Sequence, residues 1–181
     1  MDCIYYFGYG ANANPKRIEG IINHKPKKEY GGVIGNFRLC IQTLNQIPEP
    51  AKNILKSAWG DDFLAYTLSP GSGFVSGVLW QLTPSDFSKV KEWEELGGWR
   101  KFVPVEVTIY DGTKKMAVTD LISSEDQSLF GCVDGVNYPY DLNGSYTKTV
   151  GQSPEDKEIT IKIELVRKRI RKLLKEKNHN L

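Results

Sequence analysis

Apolar and polar positions alternate most cleanly at Val103, Val105, Val107 and Ile109. That period of two predicts a half-buried strand over residues 103–110. Asp111-Gly112 then reads as a tight turn into a second strand, 115–121, so the pair forms a hairpin. An aromatic strand occupies residues 3–7, and residues 32–44 form another, with Val33, Phe37, Leu39 and Ile41 at its apolar positions. Two further strands, 63–68 and 74–82, flank Ser69-Pro70-Gly71-Ser72-Gly73, which reads as a turn. The period changes at Ile18, Ile21 and Ile22, one face of a short helix over 15–23; Asn12 or Asn14 caps it and Pro15 fits its first turn. Thr83 or Ser85 caps a second helix running to about residue 95. Lys25-Pro26-Lys27-Lys28 reads as a solvated connection. Residues 45–62 contain Pro48, Pro50 and Gly60 without a clear period, and read as a loop with one helical turn. Residues 123–154 are rich in Gly, Ser, Asn and Pro and read as a long irregular region. Ile163, Val166, Ile170, Leu173 and Leu174 mark a C-terminal amphipathic helix within 157–181.

No internal repeat is visible, and 181 residues fit one domain, 1–181. With 40% hydrophobic and 25% charged residues the chain can bury a real core. Four Trp, nine Tyr and seven Phe suit strands and an aromatic-lined pocket. The net charge of +2 gives no strong case for a nucleic-acid partner. Residues 157–181 nevertheless hold nine Lys/Arg against three Glu, so the basic excess belongs to the tail. Cys3, Cys40 and Cys132 form no CxxC pair, and no secretory signal opens the sequence, which makes a cytoplasmic location the simplest expectation. No apolar run approaches the roughly 20 residues of a membrane-spanning helix. The oligomeric state is not legible.

Candidate chemistry concentrates in two places. Residues 5–12 read Tyr-Tyr-Phe-Gly-Tyr-Gly-Ala-Asn, an aromatic strand running into a glycine-rich turn before a helix. Gly8 and Gly10 allow successive amide N–H groups to point into one cavity, which suits an anion such as a substrate carboxylate. The same glycines serve equally well to make a plain corner. With only His24 and His179, neither beside a suitable partner, a histidine triad or a metal cluster is not expected, and no phosphate loop or dinucleotide fingerprint occurs. The acid–base candidates are therefore carboxylates, and they stand in Glu92-Trp93-Glu94-Glu95-Leu96-Gly97-Gly98-Trp99. Apolar neighbours penalise an ionised carboxylate and raise its pKa toward a useful range.

The order of these pieces resembles the γ-glutamylcyclotransferase (AIG2-like) family. Tyr9-Gly10-Ala11-Asn12 matches the family's Tyr-Gly-Ser-Asn loop, Asn36-Phe37-Arg38-Leu39 follows, and Gly77-Val78-Leu79-Trp80 matches its Gly-Val-hydrophobic-Trp strand. The family's catalytic glutamate precedes an aromatic that opens the next strand, and Glu95 stands at that distance before Phe102, with Glu94 one residue away. The resemblance covers about residues 3–110. Ala11 departs from the family's Ser or Thr, and Leu96 intervenes where the family has Gly after the glutamate. The resemblance implies an α+β fold, a small mixed β-barrel or sheet with flanking helices, here with the C-terminal amphipathic helix added. It implies a cofactor-independent enzyme without a metal, which cyclises the γ-glutamyl group of a small γ-glutamyl amine or amino acid to release 5-oxoproline. Glu95 would be the catalytic acid/base, and Tyr9, Gly10, Ala11 and Asn12 would bind the substrate. A different class of function fits the same residues: a metabolite-binding or protein-interaction module without turnover, favoured by Ala11 and the altered Glu-Leu-Gly-Gly segment. A third reading has the basic tail recruiting the domain to RNA or an anionic membrane surface.

Overall fold

The computed structural model describes residues 3–61, 63–123 and 131–132. The irregular region 123–154 and the basic helix 157–181 lie, almost entirely in the first case and wholly in the second, outside the described residues. Six strands and three helices are described: β1 (Ile4–Gly8), α1 (Pro15–Ile22), β2 (Lys28–Thr43), α2 (Ala51–Trp59), β3 (Leu64–Leu82), α3 (Pro84–Glu95), β4 (Arg100–Ile109), β5 (Lys114–Ile122) and β6 (Gly131–Cys132).

The sheet order is β3-β1-β5-β4-β2-β6, and β3 also pairs with β2. That extra pairing closes β2-β3-β1-β5-β4 into a five-stranded barrel, with β6 added to the side of β2. Among the described residues only β1 and β5 pair in parallel; the other ladders are antiparallel. The fold is thus the expected mixed barrel with flanking helices. β1 sits centrally, and its consecutive residues Tyr6 and Phe7 are both fully buried, since one of its faces looks into the barrel and the other is covered by helix. Tyr6 packs against Phe87 of α3 and Phe102 of β4, at ring distances of 6.5 and 6.2 Å.

α1 behaves as its sequence dictates. The Asn14 side chain accepts from the Lys16 N–H, Pro15 occupies the first turn, and Ile18, Ile21 and Ile22 are fully buried. Thr83 caps α3 by accepting from the Asp86 N–H.

Two elements differ from the sequence reading. Residues 63–82 are not two strands about a turn; β3 is one strand, with Pro70 opposite Phe37 and Phe74 opposite Gly35, so that Gly71, Ser72 and Gly73 bulge out opposite Asn36. The register slips between Gly35 and Phe37, where Asn36 takes φ 66°, so this Pro-Gly segment bends a long strand at a bulge. The loop expected over 45–62 contains a full helix, α2, which buries Ala51, Ile54 and Leu55. Pro50 stands just ahead of that helix, where its missing N–H costs nothing.

Cys40 faces Cys132 across the β2–β6 ladder and is disulfide-bonded, whereas the Cys3 sulfur accepts from the Gln81 side-chain amide at 3.1 Å. Thiol chemistry in a reducing cytoplasm disfavours such a bond. Among the described residues no helix is long and apolar enough to cross a membrane.

Candidate active site

β1 delivers the chain into the Tyr9-Gly10-Ala11-Asn12 segment, which coils into a single 3-10 turn over Gly10–Ala13. Gly10 takes φ +60°, and a Cβ there would press to 3.2 Å from the Tyr66 Cβ. Gly8 is tighter still: a Cβ would come within 2.4 Å of the Asn12 carbonyl oxygen. The turn is pinned from behind by Trp80, whose indole N–H donates to that same oxygen at 2.9 Å. The motif-bearing strand of the sequence reading therefore holds the loop in place.

In front of the turn lies a cleft of about 540 Å³, counted with the solvent at its mouth. Tyr9, Gly10, Ala11 and Asn12 form one wall. Leu55 of α2, with Phe63, Ala65 and Tyr66 at the start of β3, forms a second. Trp93, Glu94, Leu96, Trp99 and Arg100, from the end of α3 to the start of β4, form the third, and Arg17 of α1 completes the lining. Loop and acidic segment, the two places singled out in the sequence, thus meet in one cavity.

Helical geometry selects which glutamate enters it. Val90, Trp93 and Glu94 stand at i, i+3 and i+4 and are buried together. Glu95 is one step further round: its side chain is 42% exposed and pairs at 3.3 Å with Lys91, four residues back. Glu95, the first candidate from the sequence, does not line the cleft, and Glu94 does. The i, i+3, i+4 pattern with Val90 and Trp93 was the available signal.

Glu94 sits in a buried polar cluster. Its Oε1 accepts from Asn12 Nδ2 at 2.6 Å, and Asn12 Nδ2 also donates to the Tyr6 hydroxyl at 2.9 Å. Its Oε2 lies 3.4 Å from Arg100 Nη1. Arg100 is committed elsewhere as well: it binds Asp120 Oδ2 closely and donates to the Tyr66 carbonyl at 2.6 Å. Asp120, fully buried, also accepts from the hydroxyls of Tyr6 at 2.6 Å and Tyr9 at 3.2 Å.

Burial pushes the Glu94 carboxyl up from its ordinary pKa, and the neighbouring Asp120 charge pushes the same way; Arg100, the Asn12 hydrogen bond and Arg17 pull it down. Burial, then Asp120, holds the Tyr6 and Tyr9 phenols well above their usual range, so both are neutral donors. Burial opposes the Arg100 charge, but Tyr9, Asp120 and Glu94 outweigh it, and its pKa is raised.

The remaining sequence candidates fall into place unequally. The Asn12 N–H donates to the Tyr9 carbonyl at 3.1 Å, so Asn12 contributes its side chain to the cleft rather than its amide. Tyr9 contributes a buried phenol. Gly10 and Ala11 lead the 3-10 turn, where N–H groups have no partner within a helix. Sequence reasoning missed Arg17, Tyr66, Arg100 and Asp120. The signal for Asp120 was an acid set among Val118, Leu121 and Ile122 inside a strand, where Asp is disfavoured. Among the described residues no group of His, Cys, Asp and Glu could hold a metal ion.

Neither a protein-family model nor a curated protein sequence matches the chain. Solved structures do. An uncharacterized human protein is similar at TM-score 0.56 and 16% identity, over 89% of this chain and 99% of that one. A γ-glutamyl cyclotransferase is similar at TM-score 0.54 and 15% identity, over 94% and 87%. An Arabidopsis thaliana protein solved in solution is similar at TM-score 0.53 and 15% identity, over 74% and 78%. The chain has the γ-glutamylcyclotransferase-like fold. At such identity the likeness is one of fold.

Proposed function

We propose that this protein is a γ-glutamyl cyclotransferase, with Glu94 as its general acid/base. The carrying observation is that a buried carboxylate of raised pKa and the Gly10–Ala11 turn line the same cleft. The substrate is a small γ-glutamyl amine or amino acid. Its α-carboxylate is held by the amides of Gly10 and Ala11, and its α-ammonium faces Glu94.

Glu94 takes one proton from the ammonium. The freed amine attacks the γ-carbonyl carbon of the same molecule, forming the ring C–N bond. The bond to the leaving nitrogen then breaks. Both protons lost by the attacking nitrogen end on the leaving one, the first returned by Glu94. The balance needs no cofactor or oxidant, because nucleophile and electrophile share one molecule and only orientation is lacking. Asn12 and Arg100 hold the two Glu94 oxygens, at 2.6 and 3.4 Å, so the base is oriented before substrate arrives. Tyr6, Tyr9 and Asp120 back that pair.

The test is a panel of γ-glutamyl dipeptides and γ-glutamylamines, scored for 5-oxoproline release with and without EDTA. Release unaffected by EDTA is expected. Ala11 is the observation that favours a second reading, metabolite binding without turnover, because it offers no hydroxyl to the substrate. Binding of a panel member without any 5-oxoproline, at enzyme concentrations near the substrate's, would replace the first reading with the second. The single-domain organisation over 1–181 belongs to the same proposal.

A further inference from the structure

α1 and α3 run antiparallel and are fastened at both ends. At the cleft end the Arg17 guanidinium carbon lies 5.1 Å from the Trp93 ring centre. At the far end His24, Asp86 and Lys89 meet over the join. Asp86, in the first turn of α3, is buried. Its Oδ2 accepts from the Thr83 hydroxyl at 2.7 Å, and its Oδ1 lies 2.9 Å from His24 Nε2 and 3.5 Å from Lys89 Nζ. Lys89 Nζ also donates to the carbonyl of Ile22, the last residue of α1, at 2.8 Å. His24 stands just beyond α1, half-exposed, and its other ring nitrogen, Nδ1, lies 2.9 Å from the Lys25 carbonyl oxygen. Each helix end thus meets the charge that its open backbone groups favour, a carboxylate at the start of α3 and cations at the end of α1.

Both His24 ring nitrogens face oxygen acceptors, one a carbonyl and one a carboxylate. A neutral imidazole has one N–H and one lone pair, so in either tautomer one of these contacts would set lone pair against lone pair. The imidazolium donates to both. We propose that His24 is a proton-operated staple, which when protonated fastens the end of α1 to the start of α3 and when neutral lets that join loosen. Among the described residues the charged groups facing the ring are both on α3. Asp86 supports the protonated form: although burial opposes its charge, the Thr83 and His24 hydrogen bonds hold its carboxyl below the ordinary range. Lys89 opposes the protonated form. The Lys25 carbonyl, then the Asp86 hydrogen bond, outweigh it and raise the His24 pKa. A histidine raised in the fold stabilises fully below its unfolded value of about 6.5, and that contribution is lost as pH rises through the folded value. Lys89 also holds Ile22, so loss of the proton loosens the join without parting it. The staple bears on the cleft because α1 follows directly on the Gly10–Ala13 turn and α3 carries Glu94 near its end. It is independent of the reaction assigned to that cleft.

The experiment compares the full chain with His24→Gln, a half-exposed substitution that keeps a donor for Asp86 but cannot titrate. Amide exchange at Asn23 reads the join directly, because its N–H donates to the Glu19 carbonyl at 2.7 Å and closes α1. After correction for the intrinsic rate at each pH, wild type should be protected several-fold more than the variant at pH about 5.5, and equally at pH about 9. Wild type should also melt about 1–3 °C above the variant at the lower pH, the worth of a half-exposed pair, with the difference closing at the higher. Imidazole nitrogen shifts, with His179→Gln to assign the two histidines, should show both His24 nitrogens protonated up to a midpoint above about 6.5. A midpoint at or below that value overturns the proposal. So does a protection ratio or a melting difference that is the same at both pH values, since that is what a contact indifferent to the proton gives.

Discussion

Replacing Glu94 by Gln isolates proton transfer from structure. Gln keeps an acceptor oxygen for Asn12 Nδ2, the 2.6 Å bond that sets the side-chain orientation. Arg100 loses its 3.4 Å contact but retains Asp120 and the Tyr66 carbonyl. The substitution also removes a carboxylate that burial and Asp120 both disfavour, so the fold loses little. What disappears is the ability to take the ammonium proton. General-base catalysis contributes about 10²- to 10⁴-fold, which is about 2.7–5.5 kcal/mol of barrier. The measurement is 5-oxoproline release from a confirmed substrate, beside a melting curve that establishes the fold. Glu95→Gln is the internal control. It removes only a half-exposed helix pair with Lys91, worth at most about 0.5 kcal/mol, and touches no cleft residue. Turnover of Glu94→Gln within a few-fold of wild type, or a hundredfold loss in Glu95→Gln, would refute the assignment.

Two further outcomes test the supporting geometry. Gly10→Val should weaken substrate binding at least about tenfold, since φ +60° disfavours a branched side chain and Tyr66 stands 3.2 Å from the new Cβ; soaked 5-oxoproline found away from this turn would show the cradle idea to be wrong. The acid limb of kcat/KM should lie above the ordinary glutamate pKa of about 4.3, because Glu94 must be ionised to act and burial raises its pKa. Asp120→Asn removes a charge that raises it and leaves Arg100 to Glu94 alone, so both effects move that limb to lower pH; a limb that stays or rises argues against Glu94 as the titrating group.

Much of this architecture was legible because local patterns and tertiary placement agree. The Asn14 cap with Pro15, the isoleucines of α1, the alternation in β4 and the Asp111-Gly112 turn each specify their element without help from distant residues. Pro70-Gly71 misled because its turn chemistry is real, but the long ladder with β2 uses it to bend a strand instead of ending one. α2 was hidden by Pro48 and Pro50, which sit before the helix and not in it. At the site, the loop and the acidic segment could be read, but their meeting could not. It depends on barrel closure, a pairing between strands far apart in sequence. The choice of Glu94 over Glu95 was available from Val90 and Trp93, had helical spacing been weighed above the distance to Phe102.

The buried cluster is where the chain breaks the rules that its core obeys. Glu94, Asp120 and Arg100 bring two carboxylates and one guanidinium out of water, and an apolar replacement of such a group is often neutral or stabilising. Structure alone gives no reason for the second acid. A lone Glu94 beside Arg100 would be held down as an ordinary ion pair, a weak base. Asp120 occupies Arg100 closely, leaves Glu94 the longer contact at 3.4 Å, and adds a repulsive charge. Tyr6 and Tyr9, kept neutral, donate to Asp120 and fix it there. The arrangement gives Glu94 a raised proton affinity while Asn12 holds its orientation, and these are the two properties that accepting a proton from an ammonium requires. Buried charge of this kind, facing the described cleft of a well-packed barrel, is what the proposed proton transfer would require of these residues.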